Sequence, residues 1–184
     1  MSEIASKGQL RASYLRWAMV TVPLILLLGF ASGRLAPSGD DNRWFAALAK
    51  PGFMPPNAVF PIAWTLLYVL LGLALALVIN ARGSRLRGPA LALFALQMAA
   101  NLVWPPLFFG LHKVGASVIL LALLLVLAAT TAWLFRRVRA AAGALMIPYL
   151  LWLAFALALI VEVDRLNPGA ETLVPGGDTT QIVI

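Results

Sequence analysis

Gln97, Asn101, Trp104 and Phe108 stand four, three and four residues apart in a charge-free stretch, a spacing that sets them on one helical face. The two amides need partners there, because a buried polar group without a hydrogen bond is disfavoured by about 1 to 3 kcal/mol. Either they bridge to neighbouring helices or they face a cavity. Trp64 and Tyr68, four apart, and Tyr149, Trp152, Ala156 and Leu159 on a further face, supply more flat or apolar surface. Rings converging with a few amides suit a flat, mostly apolar ligand. The chemistry is recognition rather than turnover, since this set offers no nucleophile, acid-base pair or metal cluster at workable spacing. The chain has no cysteine and one histidine, which excludes thiolate sites and a multi-histidine metal centre.

The elements that hold these residues are membrane spans. The 184 residues are 62% hydrophobic and 11% charged, with a mean hydropathy of +0.92, far more apolar than a soluble domain. Five stretches are long enough for the roughly 20 residues that cross a bilayer: 17–33, 60–81, 88–109, 114–135 and 141–165. Each is helical by default, because lipid offers nothing to unpaired backbone groups. The expected fold is an all-α integral membrane protein, a five-helix bundle over residues 1–167, with sequential helices as antiparallel neighbours. Residues 168–184, rich in Gly, Pro, Thr and Asp, read as a disordered tail. A rival reading makes the first span a signal peptide, from Lys7, Arg11 and Arg16 ahead of an apolar run with small residues at Ala31 and Gly33.

The net charge of +7 is not a nucleic-acid footprint, since the basic residues cluster beside the spans and report topology. Lys7, Arg11, Arg16, Arg82, Arg85, Arg87, Arg136, Arg137 and Arg139 fall on one side; Arg34, Arg43, Lys50, Lys113 and Arg165 fall on the other. The excess puts the N-terminus in the cytoplasm and the first loop and C-terminus on the opposite face. The abundance of Ala, Leu and Arg points to a bacterial cell membrane.

The first loop is stiff and greasy. Pro51, Pro55, Pro56 and Pro61 fix φ and remove donors, leaving little room for regular helix before Pro61. Trp44, Phe45, Phe53 and Phe60 are large apolar groups for a solvated connector, so the stretch reads as a lid over the bundle, with Trp44, Lys50, Pro51, Phe53, Pro55 and Pro56 as its working residues. Lys50 and Arg43 would give it a basic rim. Pro105 and Pro106 bend the third span just past Trp104. Trp17, Tyr149 and Trp133 read as interfacial belt residues, Glu162 and Arg165 as an interfacial pair, and His112 as a solvated turn residue.

Four blocks together resemble the TspO/MBR family, the tryptophan-rich sensory proteins related to the mitochondrial translocator protein. They are Trp44, Phe45, Leu48, Lys50, Pro51, Pro55 and Pro56 in the loop; Trp64, Leu67 and Tyr68; Gln97, Asn101, Trp104, Pro106, Phe108, Phe109 and Gly110; and Pro148, Tyr149, Trp152, Leu153, Ala154, Phe155 and Ala156. The resemblance implies a homodimeric five-helix bundle whose loop caps a porphyrin pocket lined by Trp64, Asn101, Trp104, Trp152, Ala156 and Leu159, with Gln97 and Tyr68 nearby. Porphyrin or haem is then a ligand, and no cofactor is required. Three functions are compatible with it: a tetrapyrrole-binding sensor or regulator, a carrier of porphyrins or other hydrophobic molecules, and light-dependent porphyrin degradation. The chain departs from the family at Phe53 and Ala58, where relatives often carry Trp, and at Ile160, where they carry Asn. Val161 occupies the Tyr position of the family's sterol motif, so specific cholesterol binding is not expected although Arg165 remains.

Overall fold

In a computed structural model describing residues 7–174, the chain is helical with five helices long and apolar enough to cross a membrane. They comprise α1 (Lys7–Gly33), α3 (Val59–Asn80), α4 (Arg87–Pro105), α5 (Val114–Val138) and the pair α6 (Ala140–Leu145) and α7 (Ile147–Leu166); a short α2 (Arg43–Ala47) lies in the first loop. The first span begins well before residue 17, because counting charge-free residues measures the lipid-facing length and misses the polar turns through Arg11 and Arg16 that continue the same helix. The fifth span breaks at Met146, just ahead of Pro148, which has no N–H to continue the ladder from α6. The third span ends in a π-helical turn, Pro106–Gly110. With two consecutive donors missing, the ladder resumes one residue wide, as Leu111 N–H donates to Pro106 O at 2.9 Å.

Packing follows small residues. Thr21 Oγ1 donates to Gly72 O at 2.8 Å, and a Cβ on Gly72 would lie 2.7 Å from the Val22 Cα, so α1 and α3 meet backbone to backbone. The seat for the Tyr68 ring is Gly29, where a Cβ would sit 2.1 Å from the ring. Ser32 Oγ donates to Leu102 O and ties α1 to α4. The spans run in the order first, second, fifth, fourth, third around the bundle. The second span packs more extensively on the fifth than on the third, which corrects the expectation that every sequential pair would be the main neighbours. Large side chains such as Leu27, Ile119, Val126 and Leu151 point outward, as lipid requires.

The first loop is more ordered than its prolines suggest. Asn42 caps α2, its Oδ1 accepting from Phe45 N–H at 3.0 Å while its Nδ2 donates to Pro37 O and Phe109 O at 2.9 Å each. The loop then descends along the fifth span: Ala49 bonds to Asn167, Phe53 packs on Phe155, and Phe60 on Trp152. From 167 to 155 is roughly 18 Å of helix, so irregular backbone reaches well down the span, where prolines lower the number of N–H groups needing partners. Within the tail expected to be disordered, Ala170–Thr172 forms a 3-10 turn and Ala170 is buried, while its neighbours in 168–174 are exposed. Residues 175–184 lie outside the described residues.

Candidate functional site

The two amides of α4 are satisfied by tyrosines on other helices. Tyr68 Oη on α3 donates to Asn101 Oδ1 at 3.0 Å, Asn101 Nδ2 donates to Tyr149 Oη on α7 at 3.1 Å, and Tyr149 Oη donates to Gln97 Oε1 at 2.9 Å. Gln97 and Tyr149 are 0% exposed and Asn101 3%, so this chain of hydrogen bonds lies in the centre of the bundle. Within it, Gln97 Nε2 has no protein partner among the described residues. Of the two roles open to the amides, bridging is the one the geometry adopts. Tyr149 is therefore a core residue and not an interfacial belt residue. Two amides at membrane depth demanded donors and acceptors from another span, but nothing in the sequence singled out this phenol as the one that answers.

Above this network the rings form a seam between α3 and α7. Trp64 meets Trp152 edge to face at 6.4 Å between centroids, Trp64 lies 5.3 Å from Tyr68, and Trp152 contacts both Phe60 and Phe155. An open groove of about 480 Å³ runs beside them, lined by Pro55 of the loop, Ala63, Leu66 and Leu67 of α3, and Pro148, Leu151, Trp152 and Phe155. That volume falls within the roughly 300 to 1,000 Å³ of small-molecule sites. Ala156 is half-buried and Leu159 buried further along α7, with Ala156 packed against the core. Trp64 and Trp152 are half-buried, and their indole N–H groups have no protein acceptor among the described residues.

Trp104 sits apart from them. Its Nε1 donates to Ser117 O of α5 at 3.1 Å, and its ring stacks on Phe108 at 5.1 Å. Phe108 in turn touches Phe45 and Trp44, and Trp44 stacks on His112 at 4.3 Å. His112 is thus a half-buried member of an aromatic stack at the loop, held at a positive φ of 56°, and more closely packed than expected of a solvated turn residue. A second cavity, about 370 Å³, opens here between Leu35, Pro37, Asp41, Arg43, Phe109 and His112. Among the loop residues, Trp44 and Pro51 are buried, Phe53 is exposed on one side and meets Phe155 on the other, Pro55 is half-buried and Pro56 is exposed. Lys50 folds back on the loop, its Nζ 5.0 Å from the Phe45 centroid and donating to Ala46 O, rather than reaching over the seam.

These features define a multi-span membrane protein with a polar core strut, an aromatic seam and an ordered loop laid along it. A family model described as the TspO/MBR family matches residues 19–166. The chain is 40% identical over 147 residues to the tryptophan-rich sensory protein of Cereibacter sphaeroides, covering 78% of this chain and 91% of that one. It is 39% identical over 135 residues to protein CrtK of Rhodobacter capsulatus, covering 73% and 84%. It is also 38% identical over 136 residues to the translocator protein of Ovis aries, covering 73% and 80%. The chain belongs to the TspO/MBR family.

Proposed function

We propose that the protein binds flat, largely apolar tetrapyrroles of the porphyrin or haem type in its α3–α7 seam, as a membrane sensor or regulator, with the loop as lid. One observation carries this reading: Trp152 lines an apolar groove together with Pro55 of the loop and is crossed edge to face by Trp64, and neither indole N–H has a protein acceptor among the described residues. A macrocycle gains stacking area there, and its polar edge gains two donors whose N–H groups are otherwise left to solvent or lipid. The names of the relatives, sensory protein and translocator protein, agree with a small-molecule role. The ligand class comes from the family resemblance.

Titration of the detergent-solubilised protein with protoporphyrin, followed by tryptophan fluorescence, tests the reading. Trp64→Phe and Trp152→Phe are each expected to weaken binding about tenfold, the equivalent of one lost hydrogen bond near 1.4 kcal/mol. Unchanged affinity in both variants would remove the seam as the site. A carrier is the second reading, favoured by the groove's outer wall, where Leu66 and Leu151 are 58% and 67% exposed and open it sideways toward lipid. Porphyrin flux into liposomes separates the two. The same proposal sets the N-terminus in the cytoplasm and the loop outside, which reporter fusions at either end would check.

A further inference from the structure

We infer that the segment following α7 is a strap that holds the loop shut over the seam, with Asn167 as its clamp. Three contacts, each joining residues far apart in the chain, converge on it. Asn167 makes a two-way backbone clasp with Ala49: its Oδ1 accepts from Ala49 N–H at 2.8 Å and its Nδ2 donates to Ala49 O at 2.9 Å. Trp44 Nε1 donates to Ala170 O at 2.8 Å, burying the indole to 2% exposure. Glu171 accepts from Gly115 N–H at 3.2 Å and pairs with Lys113 at 3.4 Å, fastening the strap's far end to the start of α5.

The position of the clasp gives it a function beyond local order. Asn167 is the C-cap of α7, and its Nδ2 also donates to Val163 O at 2.7 Å, so the amide is oriented by the helix before it meets the loop. Ala49 stands immediately before the descending segment, whose Phe53 and Pro55 touch Phe155 and the groove. Between them Met54 N–H donates to Pro51 O in a tight turn, and Gly52 has open space around its Cα. The clasp therefore fixes the upper end of the segment, and the turn at 51–54 is the hinge this scheme requires. Without it, the loop keeps the Trp44 bond to Ala170 O above this level and ring contacts below it. Asn167 touches no ligand in this scheme; it is a positioning residue for the lid.

The gating consequence rests on the seam being the ligand site, whereas the clamp itself does not, and the test separates them. Amide exchange at Ala49 reports the clasp without any ligand, and protoporphyrin dissociation reports gating. In Asn167→Ala, exchange at Ala49 and porphyrin dissociation are each expected to accelerate about tenfold, with amides of Leu153 to Ile160 unchanged. The chain has no cysteine, so an Ala49→Cys, Asn167→Cys double variant adds a reversible lock. Oxidised, it should release porphyrin no faster than wild type; reduced, it should behave like Asn167→Ala. Unchanged exchange at Ala49 in Asn167→Ala overturns the clamp. Faster exchange with unchanged porphyrin release, or equal release by the oxidised and reduced forms, overturns its control of the lid. If wild type binds no porphyrin, the seam proposal falls, the control of its ligand falls with it, and the exchange result still decides the clamp.

Discussion

Two clusters of aromatic rings lie along the first loop, and they differ in what their polar atoms do. At the upper end, Trp44 and Trp104 give their N–H groups to Ala170 O and Ser117 O, and their rings close on Phe108 and His112. At the seam, Trp64 and Trp152 meet ring to ring with no acceptor for either N–H among the described residues. The first cluster is a completed structural joint. The second is an aromatic surface with hydrogen-bonding capacity left over, which is what a recognition site needs and a core does not. Aromatic density alone does not separate the two; the fate of the indole N–H does.

The largest effect should come from beneath the seam. Asn101→Leu removes the acceptor of Tyr68 and the donor to Tyr149 at once, leaving the buried Tyr68 phenol unpaired while Tyr149 keeps its bond to Gln97 Oε1. At about 1 to 3 kcal/mol for the orphaned phenol, with the Tyr149 bond lost besides, a loss of about 2 to 4 kcal/mol is expected, seen as a marked drop in thermal unfolding temperature in detergent. Because Trp64 rests on Tyr68 and Tyr149, its fluorescence should shift in the same variant. A variant as stable as wild type would show that the strut does not support the seam.

The next test sets the two clusters against each other. Trp104→Phe keeps the stack on Phe108 and loses the bond to Ser117 O, so it should lower stability by about 1 kcal/mol while leaving protoporphyrin affinity unchanged. The seam variants Trp64→Phe and Trp152→Phe should do the opposite. Equal affinity losses in Trp104→Phe and Trp152→Phe would merge the clusters into one pocket, as the family resemblance implied.

The five spans were legible because length and hydropathy mark such runs as able to cross a bilayer, although the first also allowed a signal-peptide reading. That Gln97 and Asn101 needed partners was legible too, from the price of an unpaired amide. Which groups answered them was not: Tyr68 and Tyr149 arrive through the ring order of the spans, and short connectors do not encode that order. Trp104 illustrates the limit of face arguments. Three residues fall about 60° short of a full turn from Asn101, enough to aim its ring at α5, and the π turn at 106–110 then shifts Phe108 and Phe109 again. His112 and the strap escaped for another reason. A positive φ outside glycine, and a Gly- and Pro-rich segment held by Asn167 and Ala170, depend on tertiary partners that composition averages away.

The smallest effect sharpens what holds the upper cluster. Glu171 reaches Lys113 and the Gly115 N–H, and the ion pair is solvated, with its side chains 55% and 40% exposed. Exposed pairs are worth about 0 to 1 kcal/mol and weaken with salt. Glu171→Gln keeps an acceptor for Gly115 N–H and deletes only the charge, so stability should change by less than about 0.5 kcal/mol, with the difference vanishing in high salt. Trp44→Phe, which removes the neutral bond to Ala170 O, should cost more than this and be insensitive to salt. The reverse order would mean that charge, and not the indole anchor and its stack on His112, fastens the strap to the loop.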